Sequence, residues 1–444
     1  MHKNFKSTWF LLGLGEQLQV VASLSLTEAF ILLAAPILLF RELPHMRRTG
    51  VIKFFYISLL LVIGCVISCL ANRTDLIFVI RGLATTCILA CAVVVLHWVM
   101  RNDMNGVKWY FLGSAISVVL CTFVFQRFGE LEAYGDGAGG TAAVSIMSSN
   151  PLFWIQRLNA FVTLPGRGWY LTTPLWISAG GVGFMALFAI FKSSSGRSSA
   201  IGAIASFLLI IIAGKKREGM LRVSRYLIFW LVGGLFCLQI LNIAYRTAAE
   251  SGVLGETSRK KYEAQTQRGK DIKSLLLSGR AESFVGLLAC RDKPLTGWGP
   301  WARDEKNYRL EFMSKYGTPE DYDRMLEWDM RSRAAGRPTG LIQCHSYIVE
   351  FWVWYGVLGL LYWLYVIFTL IRYIKKDIAI VPQWYCWLVA GMPSMFWAIF
   401  FSPLTARVGV SMFVIACLMA RAIRKGWYPM PYEMICEIEK IERR

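Results

Sequence analysis

Four histidines occur in the chain, and the residues around one of them have the makings of a reactive site. His2 stands at the start, His45 in a basic stretch and His97 inside an apolar run, and each has an ordinary structural explanation. His345 differs, because it ends a long polar stretch and immediately precedes an apolar helical run carrying Tyr347, Glu350, Trp352, Trp354 and Tyr355. A histidine titrates near neutrality and can take a proton from a hydroxyl. The same polar stretch holds Ser278-Gly279-Arg280 and Pro294-Leu295-Thr296-Gly297-Trp298-Gly299-Pro300. Arginine stays charged at any relevant pH and offers a planar fork of donors to anionic oxygens. Gly297, Gly299 and Pro300 predict a tight turn that lets backbone come close to backbone or ligand.

A helix beginning near His345 places Glu350 about 500° further round, so the two side chains point apart. Glu350 therefore ranks below the histidine and the arginine. Gly356 and Gly359, at i and i+3, predict close helix packing beneath the site.

The elements around this stretch belong to a membrane protein. The chain has 444 residues, 55% hydrophobic and 17% charged. Its apolar runs include Leu18 to Phe40, Phe54 to Leu70, Ile77 to Met100, Trp109 to Gln126, Trp169 to Phe191 and Val349 to Leu370. Several reach the roughly 20 residues a bilayer-crossing helix needs. The expected fold class is all-α, a polytopic helical bundle of about eleven spans (roughly 10–12) with one large extracytoplasmic loop. No cleavable signal peptide is visible, so the first helix is expected to direct insertion. The formal charge of +19 falls largely in short loops at helix ends, which argues for membrane orientation and against nucleic acid.

Parity assigns the faces. Arg421, Arg424 and Lys425 mark a cytoplasmic tail, and Arg372, Lys375 and Lys376 an inner loop. The helix starting at Ser346 then begins outside, with His345 and the polar stretch. Further back, Arg222 and Arg225 join Arg217 in another inner loop, and Ser193 to Ser199 falls outside. Arg41 to Arg48 and Arg101 to Lys108 stay cytoplasmic only if Ile146 to Pro165 also crosses. On this count the first ten residues lie outside, despite Lys3 and Lys6. The organisation is an N-terminal helix block at 1–244, a large extracytoplasmic loop at 245–345, C-terminal helices at 346–425 and a cytoplasmic tail at 426–444. Within the large loop, Lys306 to Asp329 predicts short amphipathic helices lying over the outer mouth.

Of eleven cysteines, most sit in apolar runs and read as small apolar residues. Cys290 and Cys344 both fall in the outer loop, and spacing leaves open whether they form a disulfide. No zinc-ligand spacing, paired metal-chelating aspartates or glycine-rich nucleotide loop appears, so no metal or cofactor is expected.

Taken in order, Ser278-Gly279-Arg280, the Gly297-Trp298-Gly299-Pro300 turn, His345 and the Gly356-to-Gly359 helix resemble the bacterial O-antigen ligase and polysaccharide polymerase superfamily. The motifs cover about residues 190 to 365. Ser346 stands where that family usually has asparagine, and Ser198 where glycine or alanine is common. The family's outer-face arginine, followed by two spans, matches Arg197 in Gly196-Arg197-Ser198. Arg217 in Lys216-Arg217-Glu218-Gly219 competes but leaves only one span.

The resemblance implies inverting glycosyl transfer on the periplasmic face of the bacterial inner membrane. A glycan would move from a polyprenyl diphosphate carrier to a hydroxyl acceptor, with His345 as base and Arg197 and Arg280 on the diphosphate. The acceptor would be lipid A core in a ligase, or the growing O-antigen or exopolysaccharide in a polymerase. A glycolipid transporter or flippase is the alternative of another class. It predicts broken helices related by an internal repeat, and the sequence shows no convincing one.

Overall fold

The computed structural model describes residues 5–16, 18–21, 24–120, 281–317, 319–334, 340–342, 344–378, 380–402 and 407–428, with isolated positions at 243, 247 and 251. The described chain is almost entirely helical. In order it has α1 (Lys6–Leu14), a two-stranded antiparallel pair β1 (Gln19–Val21) and β2 (Leu24–Ser25), α2 (Leu26–Thr49), α3 (Ile52–Asn72), α4 (Leu76–Asn102) and α5 (Val107–Val119). The large loop contributes α6 (Ala281–Asp292), α7 (Tyr308–Tyr316) and α8 (Pro319–Ala334). The chain returns to the bundle as α9 (Tyr347–Arg372), a π-helical turn (Tyr373–Asp377), α10 (Pro382–Phe401) and α11 (Arg407–Arg424). The expected spans between Ile146 and Ile243, Ile243 itself excepted, and Arg197, Arg217 and Arg280 lie outside the described residues.

Three helices are long and apolar enough to cross a membrane: Ile52–Asn72, Leu76–Asn102 and Tyr347–Asp377. Their solvent is written on their surfaces. α3 exposes Leu60, Ile63, Ile67 and Leu70, and α9 exposes Leu361, Leu364 and Phe368; α2, outside those three, also turns Leu33, Ile37 and Phe40 outward at 75%, 80% and 84%. So much outward apolar surface is a liability in water and none in hydrocarbon. Polar groups inside turn back on their own helices, as when Ser58 donates to Phe54 and Thr86 to Gly82.

α3 and α9 pack antiparallel. Phe54, near the start of α3, stacks on Tyr365 near the end of α9, whereas Ser68 near the end of α3 donates to the Trp354 carbonyl near the start of α9. This sorts the helix ends into two groups. Asn72, Gly297 and His345 gather at one end, since Asn72 donates to the Gly297 carbonyl at 3.1 Å. Glu42, Lys53, Arg101, Asp377 and Arg424 gather at the other, which is the division that the parity of the basic loops predicts.

The N-terminal segment departs from expectation in two ways. The apolar run from Leu18 is not one helix: the short β pair intervenes, and α2 starts at Leu26. Ser25 and Glu28 form a reciprocal capping box there, each side chain bonded to the other's backbone nitrogen. The first residues also lie at the Arg101 end, not the His345 end. Phe5 packs edge-on against Trp98, and the Trp9 indole donates to the Asp103 carbonyl at 2.9 Å. α1 then runs to the start of α2, where the Thr27 hydroxyl donates to the Leu12 carbonyl. α1 thus starts at the Arg101 end, with Lys6 among the basic groups there.

Gly356 also does something other than the helix packing expected of it. Its φ and ψ of 63° and −148° break α9, and the turn at 295–299 docks into the break. Trp298 N–H donates to the Val353 carbonyl at 2.6 Å, and Gly299 N–H to the Trp354 carbonyl at 3.1 Å. Val357 N–H returns a bond to the Leu295 carbonyl at 3.1 Å. The loop backbone therefore takes up carbonyls and an amide that an unbroken helix would pair internally, so the break leaves few groups unsatisfied.

Candidate functional site

His345 is placed by the N-terminus of α9. Ser346 is the N-cap: its hydroxyl accepts from Val349 N–H and donates to the Ile399 carbonyl at 3.0 Å, tying α9 to the end of α10. Serine and asparagine are near-equivalent N-caps, so the departure from the usual asparagine preserves the cap. The imidazole is held just before the cap, on the lip of the bundle.

Facing it is the first turn of α6. Glu282 Oε2 lies 3.8 Å from His345 Nδ1. That is ion-pair range and beyond hydrogen-bond length. Nδ1 itself is buried and makes no hydrogen bond among the described residues, although the side chain as a whole is 39% exposed. The exposure therefore belongs to the ring away from Nδ1. A carboxylate on the Nδ1 side favours the proton there and leaves the Nε2 lone pair free, the arrangement of a general base. α6 is fixed by its core face. Val285 and Ala289 are buried, Phe284 stacks on Phe312 of α7, and the Trp298 indole donates to the Ala289 carbonyl at 2.9 Å.

The docking turn braces the other side. A Cβ on Gly297 would lie 2.6 Å from the Gly356 nitrogen, and one on Gly299 would meet the Thr74 hydroxyl at 2.5 Å. Both glycines have positive φ, 71° and 88°. Gly297 and Gly299 therefore build the site's frame. Beside them, Lys293 Nζ stands 4.1 Å above the Trp298 ring. Asp292 accepts from Lys306 and from the Tyr308 hydroxyl, both at 2.8 Å. Those two bonds, Lys306 first, hold the Asp292 carboxyl well below the usual carboxylate range. Burial and then the hydrogen bond to Asp292 push the Tyr308 phenol up. α7 and α8 follow, matching the short helices expected at 306–329.

Cys290 and Cys344 are two free, buried thiols, not a bridge. The Cys344 sulfur is lodged against Gly286, a turn before Cys290 on α6, where a Cβ would come within 2.6 Å of it. Burial pushes the Cys290 thiol up to about 12, and burial followed by the Glu350 charge raises the Cys344 thiol well above its ordinary value. Glu350 is half-buried in the first turn of α9, with its amide bonded to the Ser346 carbonyl.

Of the residues singled out from sequence, the structure brings His345, Gly297, Gly299, Glu350, Cys290 and Cys344 to one end of the bundle. Arg197, Arg280 and the competing Arg217 lie outside the described residues. Two acids escaped the sequence reading. Glu282 stands two residues after Arg280, but nothing in spacing joins it to His345. Glu28 is buried against Arg407, with Oε1 2.7 Å from Nε, while Arg407 also reaches Thr85. The signal for that pair is a lone acid and a lone arginine, each at the start of an apolar run, where charge is costly unless partnered. Among the described residues no three His, Cys, Asp or Glu side chains are grouped to hold a metal ion. No family model, curated protein or solved structure matches the chain.

Proposed function

We propose that the protein is a multi-pass enzyme of the bacterial inner membrane, with about eleven spans, that performs inverting glycosyl transfer at its periplasmic face. The observation that carries the reading is His345 itself: a sheltered Nδ1 facing the Glu282 carboxylate, with the rest of the ring open at the lip of the bundle. In this reading Nε2 takes the proton of an acceptor hydroxyl as its oxygen attacks the anomeric carbon. The bond from that carbon to the diphosphate of a polyprenyl carrier breaks, and the diphosphate leaves with the electron pair. Arg280 and Arg197 balance the charge that develops on it. One displacement inverts the anomeric centre, and the proton on His345 passes to water or to the departing diphosphate.

Diphosphate leaves well without protonation, so the chemistry asks for cations and one base. That is the residue set the motif order supplies. Lipid A core is the proposed acceptor, following the ligase side of the resemblance.

The test uses the full chain in lipid nanodiscs with a radiolabelled polyprenyl diphosphate glycan and lipid A core. Label is expected to move to the core, and His345→Ala to slow that transfer by about 10²-fold or more. Transfer at the parental rate by His345→Ala would sink the assignment of the base. Label that lengthens on the carrier instead would convert the ligase reading to a polymerase. Label that crosses the bilayer without forming a new bond would favour a flippase.

A further inference from the structure

A second site lies at the far end of α9 from His345, separated from it by 26 residues of helix, roughly 39 Å. There the end of α9, the start of α3, the π-helical turn and the last turns of α11 enclose a cavity of about 230 Å³. Its lining includes Lys53, Arg372 and Arg421, with Asp377 as the acid and Phe368 and Leu418 among the apolar walls.

The charges do not balance. Asp377 is buried and already bonded to Arg424 Nε, so one cation outside the lining neutralises the one acid within it. Lys53, Arg372 and Arg421 keep three positive charges, and none of them has an ion pair or hydrogen bond to a described acid. The Nε atoms of both Arg372 and Arg421 are buried with no hydrogen-bond partner among the described residues. Burial and then the charge of Arg372 push the Arg421 guanidinium down from its ordinary value. Two guanidinium groups drawn together with buried donors unpaired are costly unless an anion completes them.

The cavity also has an apolar approach. Leu361, Leu364 and Phe368, at helical spacing on α9, are 45%, 45% and 58% exposed and lead along the outside of the helix to the cavity wall. A volume of about 230 Å³ is below the roughly 300–1,000 Å³ of sites that enclose drug-sized ligands, and suits a head group. The end of a membrane-crossing helix is also the level at which lipid phosphates lie.

We infer that Lys53, Arg372 and Arg421 bind the phosphate of an anionic phospholipid, whose acyl chain lies along Leu361, Leu364 and Phe368. Two arginine forks and an ammonium match the oxygens of a phosphodiester, and the stripe on α9 gives its hydrocarbon a surface to follow.

The experiment is lipid retention by the detergent-purified full chain, measured by native mass spectrometry after exposure to phosphatidylglycerol or phosphatidylcholine. A parallel arm follows thermal unfolding in millimolar inorganic phosphate. Phosphatidylglycerol is expected to be retained and phosphatidylcholine lost. Each cation removed is expected to lower retention about fivefold, so Lys53→Gln falls by that factor and Arg372→Gln/Arg421→Gln by the product of two. Lys53 is exposed, so its variant decides the question even if the double variant fails to fold. Equal retention of both lipids, or undiminished phosphatidylglycerol on Lys53→Gln, would overturn the site. A phosphate-induced stabilisation that Lys53→Gln abolishes, without preferential lipid retention, would keep an oxyanion site and overturn the lipid as its occupant.

Discussion

The backbones of Gly297 and Gly356 are in contact: a Cβ on Gly297 would reach the Gly356 nitrogen at 2.6 Å, and one on Gly356 would overlap the Leu295 carbonyl. Both residues hold positive φ, 71° and 63°. The turn at 295–299 is therefore fastened to α9 by main chain as well as by side chains, the Trp352 indole donating to the Pro294 carbonyl at 3.0 Å, and any residue with a Cβ at either position pushes the two backbones apart.

Gly356→Ala is accordingly expected to destabilise the protein by about 1–3 kcal/mol from the positive-φ backbone alone. The clash with Leu295 adds to that. The loss should appear as a lower thermal unfolding midpoint in detergent, together with faster proteolysis of the 293–300 segment. A matching midpoint and an equally protected segment would show that the turn is not what holds α9 at its break. Gly299→Ala meets only the Thr74 side chain, which can move, so its effect is expected to be smaller.

In the proposed chemistry Glu282 is a positioning residue for His345. Glu282→Gln is expected to lower kcat for glycan transfer about tenfold while leaving KM unchanged, because the carboxylate orients the imidazole and does not touch substrate. Glu282→Asp should recover part of the loss and Glu282→Ala none. A change in KM alone, or equal activity for all three variants, would assign Glu282 to the structure of α6.

These relationships differ in how visible they are in the sequence. α3, α4 and α9 follow from uninterrupted apolar runs, because length and hydropathy decide a span without reference to any partner. The start of α2 carries its own local mark, Ser25-Leu26-Thr27-Glu28, the spacing of a capping box. That mark is masked by the apolar residues on both sides, which read as one continuous run. Gly356 looks like a packing glycine because Gly-x-x-Gly fits close helices. Only the arrival of the 295–299 turn reveals that its φ is positive. The facing of Glu282 and His345 depends on a contact between distant segments that no local pattern encodes, whereas Glu28 and Arg407 each announce the need for a partner without saying which.

The basic end of the bundle offers a test in pH. Glu42 is fully buried and accepts from His97 Nδ1 at 3.2 Å and from Arg101 Nε and Nη2 at 3.1 and 2.8 Å. Burial alone would raise its carboxyl. The bonds from His97 and Arg101 outweigh it and hold the group at about 2, against an ordinary 4.5. A folded-state value below the unfolded one means that the charged form favours folding. The contribution is complete above about pH 4.5 and is lost as pH falls toward 2. Glu42→Gln keeps the shape and removes the charge, so at pH 7 it is expected to be less stable by about 2–3 kcal/mol, the worth of charge-assisted bonds in a buried setting. Thermal midpoints of parent and variant should converge as pH is lowered from 5 toward 2. A gap that stays constant across that range would mean that Glu42 stabilises the fold by packing, with its charge contributing nothing.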